Sequence, residues 1–444
     1  MSQPTGRRLL ALVALLANGA ALVLVVDSLF DNLGALIVGV VCLALASMAM
    51  YAAVVGRGAV RWVAAAAALM LVLAVIVLLV IAADPLRAVL LVALAAIAAG
   101  TTQAVLHSAL TEGLRTSVLS PVSPAGGAVL LVNPKSGGGK AERFGLVDEC
   151  ARRGVEPVVL RRDDDLEALA ERAAASGTDV VGMAGGDGSQ ALVAGVAARH
   201  GIAHVCVPSG TRNHLALDLG LDRDDVVGAL DAYGEAFERS IDLATVNGST
   251  FVNNVSLGLY ATVVQSDAYR DAKLSTTLDQ LPDLLGRSSE PFHLRFTTPA
   301  GDRFDNAHVI HVSNNPYATH SFVGGGSRPR LDGGVLGVTT LRIDRAADVP
   351  ALLALVKAGR VESFRGYREW TATSFRVDAD EPVAAGVDGE AMTLSAPLLF
   401  EAHPGAVRVR VPRHASGLSP GALAEIPLGR RFAALARVAA GRPV

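Results

Sequence analysis

The sequence predicts three parts: a membrane α-helical N-terminal region, an α/β nucleotide-binding domain on a parallel sheet, and a β-rich, sandwich-like second domain. Three observations predict them. Of 444 residues, 51% are hydrophobic and 18% charged, and the apolar excess lies in residues 1–104. From Ala128 onward, short apolar runs alternate with helical stretches of about ten residues, the signature of strands joined by covering helices. After Ile241-Asp242 the pattern becomes mainly strand.

In the first part, residues 9–26, 33–55, 63–83 and 88–106 are apolar runs that approach or exceed the ~20 residues of a membrane-crossing helix. Arg7 and Arg8 precede the first run, Asp27 and Asp31 follow it, Arg57 and Arg61 follow the second, and Asp84 balances Arg87 after the third. Arginine-bearing loops stay on the cytoplasmic side. The expectation is therefore a multi-pass protein of the plasma membrane, with four transmembrane helices in residues 1–107 and the remainder cytoplasmic. Gly34, Gly39, Ala44 and Ala46 permit close helix packing, and so a homodimer.

Charge excludes one class of partner. The chain carries −3, and residues 1–104 hold five Arg against three Asp, which leaves −5 on the rest. A binder of nucleic acid would show a net basic face, so no nucleic-acid partner is expected. Cys42, Cys150 and Cys206 form neither a CxxC pair nor a disulfide framework, and read as small buried hydrophobes.

Pro121, Pro124, Gly126 and Gly127 mark residues 108–126 as a linker. The α/β domain is expected over 127–243, with strands at 128–132, 157–160, 180–181 and 203–207. Helices are expected at 141–153, 164–175 with Asp163 or Asp164 as N-cap, and 189–200. In such sheets ligands sit at the carboxyl ends of the strands. Three loops lie there: Asn133-Pro134-Lys135-Ser136-Gly137-Gly138-Gly139-Lys140, Gly185-Gly186-Asp187-Gly188-Ser189, and Pro208-Ser209-Gly210-Thr211-Arg212-Asn213. They are expected to converge on one crevice. Any one of them alone would read as a tight connection.

Glycine loops suit phosphate, because backbone N–H groups can approach it closely. The first loop is not a Walker A sequence: Pro134 holds the first glycine position relative to Lys140, and Ala141 follows the lysine. Gly186 to Ala191 matches GxGxxA, but the next strand ends in Val207-Pro208-Ser209, without the acid that would hold a ribose. An acid inside the run, Asp187, would repel a pyrophosphate unless a metal intervened.

Together these residues resemble the diacylglycerol kinase catalytic domain superfamily, which includes bacterial lipid kinases and sphingosine kinases. The resemblance rests on Leu131-Val132-Asn133-Pro134-Lys135-Ser136-Gly137, on Gly185-Gly186-Asp187-Gly188-Ser189 as its GGDGT signature with Ser for Thr, on Pro208-Ser209-Gly210-Thr211-Arg212-Asn213 as PxGTxN, and on Asp388-Gly389-Glu390 as DGE. It spans about residues 126–412 and implies a fold shared with NAD kinases and diacylglycerol kinases.

By that resemblance, ATP is bound by Asn133, Pro134, Ser136, Gly137, Gly185, Gly186, Gly188, Ser189, Ser209, Gly210, Thr211 and Asn213. Asp187 stands near Mg2+ or the phosphates. Asp388 takes the proton of a lipid hydroxyl with Glu390 assisting, and Asp187 competes for the base role. Phosphoryl transfer is mostly positioning and charge neutralisation, which gives each motif a task. Read alone, Asp388-Gly389 between apolar segments is a type I′ hairpin turn, which is compatible with presenting a carboxylate. Lys135, Lys140 and Arg212 are candidate phosphate contacts, although loop cations are usually only solvated.

The second domain is expected over 244–412 and the segment 413–444 is expected to return to the α/β domain. Strands are expected at 244–246, 250–255, 292–297, 308–313, 335–342, 374–378, 398–401 and 406–411, with helices at 261–285 and 347–358. Glycine-rich residues 324–329 read as a mobile loop at the lipid entrance. Family members with a structural magnesium carry an acid where this chain has Gly337, and Asp332 alone is a poor magnesium site. The expected activity is an ATP-dependent lipid kinase with a membrane lipid as partner, diacylglycerol first and sphingoid or glycolipid alcohols behind it. The alternatives are a kinase of a soluble metabolite such as NAD, and a catalytically silent nucleotide sensor. The latter would predict loss of Asp187, Asp388 and Glu390, and all three are present.

Overall fold

The computed structural model describes residues 5–31, 114–258, 292–317, 326–343, 348–357 and 360–424, with isolated positions elsewhere. The chain forms two compact units: Met1–Gly113 with Pro427–Val444, and Leu114–Ile426. In the first, α1 spans Thr5–Asp31. It buries Ala11, Ala14 and Ala17, spaced three apart along one stripe, and Asn18 Nδ2 donates to the Ala14 carbonyl at 2.8 Å.

Among the described residues no helix is long and apolar enough to cross a membrane. This corrects the membrane-helical N-terminal region and, with it, the placement as a multi-pass protein of the plasma membrane with a cytoplasmic catalytic domain. The expected spans 33–55, 63–83 and 88–106 lie outside the described residues apart from scattered positions. Only the small Ala11, Ala14 and Ala17 are buried along α1 while Leu9, Leu12 and Leu16 are exposed, so an apolar run in the sequence does not by itself say what the helix meets. The homodimer reading rested on residues 34–46, which lie outside the described residues save Cys42.

In the second unit, β1 (Ser120–Val122) leads into β2 (Ala128–Val132). The single helix expected at 141–153 is two, α2 (Lys140–Arg143) and α3 (Leu146–Arg152), because Gly145 between them adopts φ 58. Then follow β3 (Glu156–Val159) and α4 (Leu166–Ala175). The N-cap of α4 is Asp165 rather than Asp163 or Asp164: its side chain accepts from the N–H groups of Glu167 and Ala168. Next come β4 (Val180–Gly185), α5 (Asp187–His200), β5 (Ala203–Pro208) and α6 (His214–Asp218).

Strands β3, β2, β4 and β5 pair in that order, all parallel. Their side chains alternate between two cores. Val129, Leu131, Val181 and Met183 join the apolar face of α5 and α4 on one side, while Leu130, Val132, Val180 and Val205 meet Leu146 and Cys150 on the other. Both faces are therefore buried, which is why these strands read as unbroken apolar runs.

The strand-rich part contains β6 (Ala236–Val246), β7 (Ser249–Phe251), β8 (Asn254–Gly258), β9 (Arg295–Thr297), β10 (Arg303–Phe304), β11 (Val309–Asn314) and β12 (Leu336–Leu341). After α7 (Val349–Lys357) come β13 (Tyr367–Ala372), β14 (Ser374–Asp378), β15 (Val383–Val387), β16 (Glu390–Leu394), β17 (Leu398–Pro412) and α8 (Pro420–Ala424). The helix expected at 261–285 lies outside the described residues.

One antiparallel sheet runs β13-β12-β11-β8-β15-β16. It packs on β6, β9, β14 and β17 through Phe251, Val255, Leu257, Phe296, Ile310, Val338, Phe375 and Phe400, the sandwich core. Strand β17 serves both halves: Phe400 to Pro412 pair antiparallel with β6, and Arg408 to Arg410 pair parallel with β5. The parallel sheet and one wall of the sandwich are thus a single sheet.

Candidate active site

The three loops after β2, β4 and β5 touch one another. At Gly137 the backbone adopts φ 55, and an added Cβ would collide with the Ser209 carbonyl oxygen and lie 3.1 Å from that of Gly210. An added Cβ at Gly210 would lie 2.5 Å from the Gly186 Cα. Side chains are excluded at both places because the loops approach backbone to backbone. Each loop begins where a parallel strand ends, so the expected convergence at the carboxyl edge is present.

Individual residues divide into those that hold the loops and those that face open space. Asn133 Oδ1 accepts from the Lys135 N–H at 3.1 Å, and the Asn133 N–H reaches the Ala184 carbonyl at 3.0 Å. Asn213, buried and at φ 51, donates to the carbonyls of Pro208 and Gly210 at 3.1 and 2.9 Å, so it closes its own loop. Ser136 starts a single turn of 3-10 helix with Gly137 and Gly138. Gly185 packs against Met183 and Ser189, whereas nothing lies near an added Cβ on Gly186. Lys140 Nζ stands 3.9 Å from Asp224, and Lys135 is exposed.

The residues present fit a polyphosphate. Ser209 Oγ is buried without a hydrogen-bond partner. Gly186 caps the N-terminus of α5, whose first-turn N–H groups have no partner within the helix and whose dipole favours negative charge there.

Asp187 is buried, and its two carboxylate oxygens accept from the N–H groups of His214 and Leu215, both at 3.0 Å. It therefore holds the start of α6, and each oxygen keeps capacity for a second partner. Among the described residues, no three His, Cys, Asp or Glu side chains converge to hold an ion. A magnesium ion held by one or two carboxylates and phosphate oxygens suits this site better than an all-protein cage.

Asp388 and Gly389 join β15 to β16 with φ 49 and 87, both in the left-handed region that a type I′ turn demands. The half-buried Asp388 carboxylate accepts three backbone N–H groups, from Val252 at 2.8 Å, Asn253 at 2.8 Å and Asn254 at 3.1 Å. Burial pushes its pKa up to about 7. The N–H bond of Val252 opposes that rise, and the nearby charge of Asp187 adds to it. The hairpin tip meets the second loop: Glu390 Cγ lies 3.1 Å from where a Cβ on Gly188 would stand.

Four residues at this site carried no sequence signal. Arg328 is fully buried and paired with Asp218 at 2.7 Å, Asn253 accepts from it, and Tyr317 lies under its guanidinium at 5.8 Å. The described part of 324–329 is thus built around a buried arginine, which differs from the expected mobile loop at the lipid entrance. At Gly337 an added Cβ would lie 2.6 Å from Ser313 Oγ and 2.8 Å from Pro316 Cα. An acid there would need both to move, and Asp332 pairs with Arg330 at 3.1 Å.

Residues 127–246 match the model of the diacylglycerol kinase catalytic domain. A diacylglycerol kinase of Mycobacterium tuberculosis (strain ATCC 25618 / H37Rv) is 33% identical over 125 residues, 27% of this chain and 40% of the relative. One of Bacillus subtilis (strain 168) is 34% identical over 119 residues, 26% of this chain and 38% of the relative. The chain thus spans about two fifths of the length of these curated relatives. In fold, a crystal structure of a diacylglycerol kinase from Bacillus anthracis str. Sterne superposes with a TM-score of 0.51 at 19% identity, covering 66% of this chain and 99% of that one. Residues 127–246, which carry the three converging loops, are thus similar to the diacylglycerol kinase catalytic domain.

Proposed function

We propose that the chain transfers the γ-phosphoryl group of ATP to a hydroxyl of a lipid, diacylglycerol being the first substrate to test. The observation that carries this reading is the contact of the Asp388–Glu390 hairpin tip with the glycine loop after β4, which itself meets the loop after β5. It brings a carboxylate with a raised pKa to the same crevice as the phosphate-suited backbone. The relatives' names favour diacylglycerol among lipid alcohols.

In the reaction, the acceptor oxygen bonds to the γ-phosphorus as the bond to the bridging oxygen of ADP breaks. Asp388 accepts the hydroxyl proton, and a base near neutrality suits that task. The N-terminus of α5 and the loops around Gly137, Gly186 and Gly210 take up the charge of the phosphates, while Asp187 holds α6 and offers one carboxylate to magnesium. Catalysis of this kind is mostly positioning and charge stabilisation.

The test uses γ-labelled ATP and Mg2+ with detergent micelles carrying diacylglycerol, sphingosine or no lipid, and NAD in a separate arm. Labelled lipid that disappears with Asp388→Asn is the expected result. Label in NAD alone, or equal lipid labelling by wild type and Asp388→Asn, overturns the proposal.

A further inference from the structure

Residues 252–254 have two sides. Their N–H groups all point at Asp388. Two of their acceptors point at Arg328: the Val252 carbonyl accepts from Nη1, and Asn253 Oδ1 accepts from Nη2 at 2.9 Å. Nη1 also donates to the Asn314 carbonyl at 2.8 Å. The remaining edge of the guanidinium meets Asp218, Nε reaching Oδ2 at 2.7 Å while the Arg328 N–H reaches Oδ1 at 3.0 Å. Arg328 is 0% exposed and Asp218 1%. A buried charge is costly unless paired and bonded throughout, and here all three guanidinium nitrogens are engaged.

Asp218 is the last residue of α6, whose first N–H groups are held by Asp187. A continuous run of polar contacts therefore links the nucleotide loop to the acceptor side: Asp187, α6, Asp218, Arg328, the 252–254 turn, Asp388. Lysine could keep the charge but not the planar fork that reaches Asp218, Val252 and Asn253 together.

We propose that Arg328 is a positioning residue for phosphoryl transfer: its guanidinium fixes the 252–254 turn, and that turn fixes the Asp388 carboxylate relative to the loop of Asp187. The inference rests on the kinase reading above and deepens it. Misplacing a reacting group by about 1 Å costs on the order of 100-fold in rate. Loss of the fork is therefore expected in kcat rather than in the KM for ATP.

The experiment compares full-length wild type, Arg328→Lys and Arg328→Ala in the labelled-ATP assay with diacylglycerol micelles. Hydrogen exchange is followed at the peptide that carries residues 252–254. Arg328→Lys is expected to lose about 10- to 100-fold in kcat with the KM for ATP within about twofold, and to exchange faster at 252–254. Methylguanidinium is expected to return part of the Arg328→Ala rate. Wild-type kcat in Arg328→Lys, or unchanged exchange at 252–254, overturns the inference, as does a kcat loss matched by an equal rise in KM for ATP. If Arg328→Ala does not fold, Arg328→Lys carries the test alone. If wild type labels no lipid, the kinase reading fails, and faster exchange in Arg328→Lys still supports the positioning of the turn.

Discussion

The raised pKa of Asp388 makes the pH dependence of turnover a direct measure of its role. Burial lifts the carboxyl from 3.8 to about 7, with the three N–H bonds holding it down and the charge of Asp187 pushing it further up. As the proposed base, Asp388 must be ionised to take the acceptor proton, so turnover is expected to rise with pH through about 7. About one tenth of the molecules carry the carboxylate one unit below that value and about nine tenths one unit above. The kcat at about pH 8 should therefore be roughly tenfold that at about pH 6. Initial rates at saturating ATP and lipid, at constant ionic strength, give the curve. Removing the base in Asp388→Asn should cost about 10²- to 10⁴-fold and flatten it. Asp187→Asn should move the limb to lower pH, because one contribution to the rise disappears. A limb centred in the ordinary carboxylate range, or an Asp388→Asn enzyme within about tenfold of wild type, would refute the reasoning. Linkage has the opposite sign. The folded state binds the Asp388 proton more tightly than the unfolded one, so this group's stabilisation is complete below about pH 3.8 and declines as pH rises through about 7.

Two further predictions concern glycines that face other groups. Gly210→Ala places a Cβ 2.5 Å from Gly186 Cα and 2.7 Å from Asn213 Oδ1. It should raise the KM for ATP by about tenfold or more, with the thermal midpoint lowered by a few degrees at most; an unchanged KM would show that the loop contact does not shape the nucleotide site. Gly182→Ala sets a methyl against the buried Tyr233 hydroxyl, which donates to the Val129 carbonyl at 3.0 Å. The overpacking should cost about 1–3 kcal/mol in denaturant unfolding. Part of that cost should return in the Gly182→Ala, Tyr233→Phe pair, and strictly additive effects would contradict the contact.

What could be read from the sequence was local chemistry. Gly137, Gly210 and the Asp388-Gly389 turn announce themselves, because positive φ and backbone approach select glycine, and because a parallel sheet sends its loops to one edge. Strand β14 and the helix near residue 350 followed from periodicity alone. Arg328 did not announce itself. Its partners Asp218, Val252 and Asn253 lie 110, 76 and 75 residues away in sequence, and a single arginine between Ser327 and Pro329 has no periodic signature. Asp187 stands out in the sequence as a site candidate but not as the carboxylate that starts α6, since that bond spans 27 residues.

Strand β17 explains why two acids so far apart in sequence meet in one cleft. The pattern suggested two strands, 398–401 and 406–411, and the interruption is present as a shift in register between His403 and Val407. Yet the strand is continuous, so its first half is a wall of the sandwich and its second half lies beside β5. Buried Asp242 fastens this bend. Its Oδ1 accepts from Gly405 N–H at 2.7 Å, and its Oδ2 from Gly334 N–H at 2.6 Å and Asn315 Nδ2 at 3.0 Å. One carboxylate thus ties β17 to the segment before β12 and the turn after β11, next to the Asn314 carbonyl that Arg328 grips. The hairpin tip stands against Gly188 because the sheet that carries the glycine loops also carries the sandwich. A chain with a flexible hinge here would have to order the two halves against each other, whereas this one holds Asp388 and the glycine loops in a single covalent and hydrogen-bonded frame.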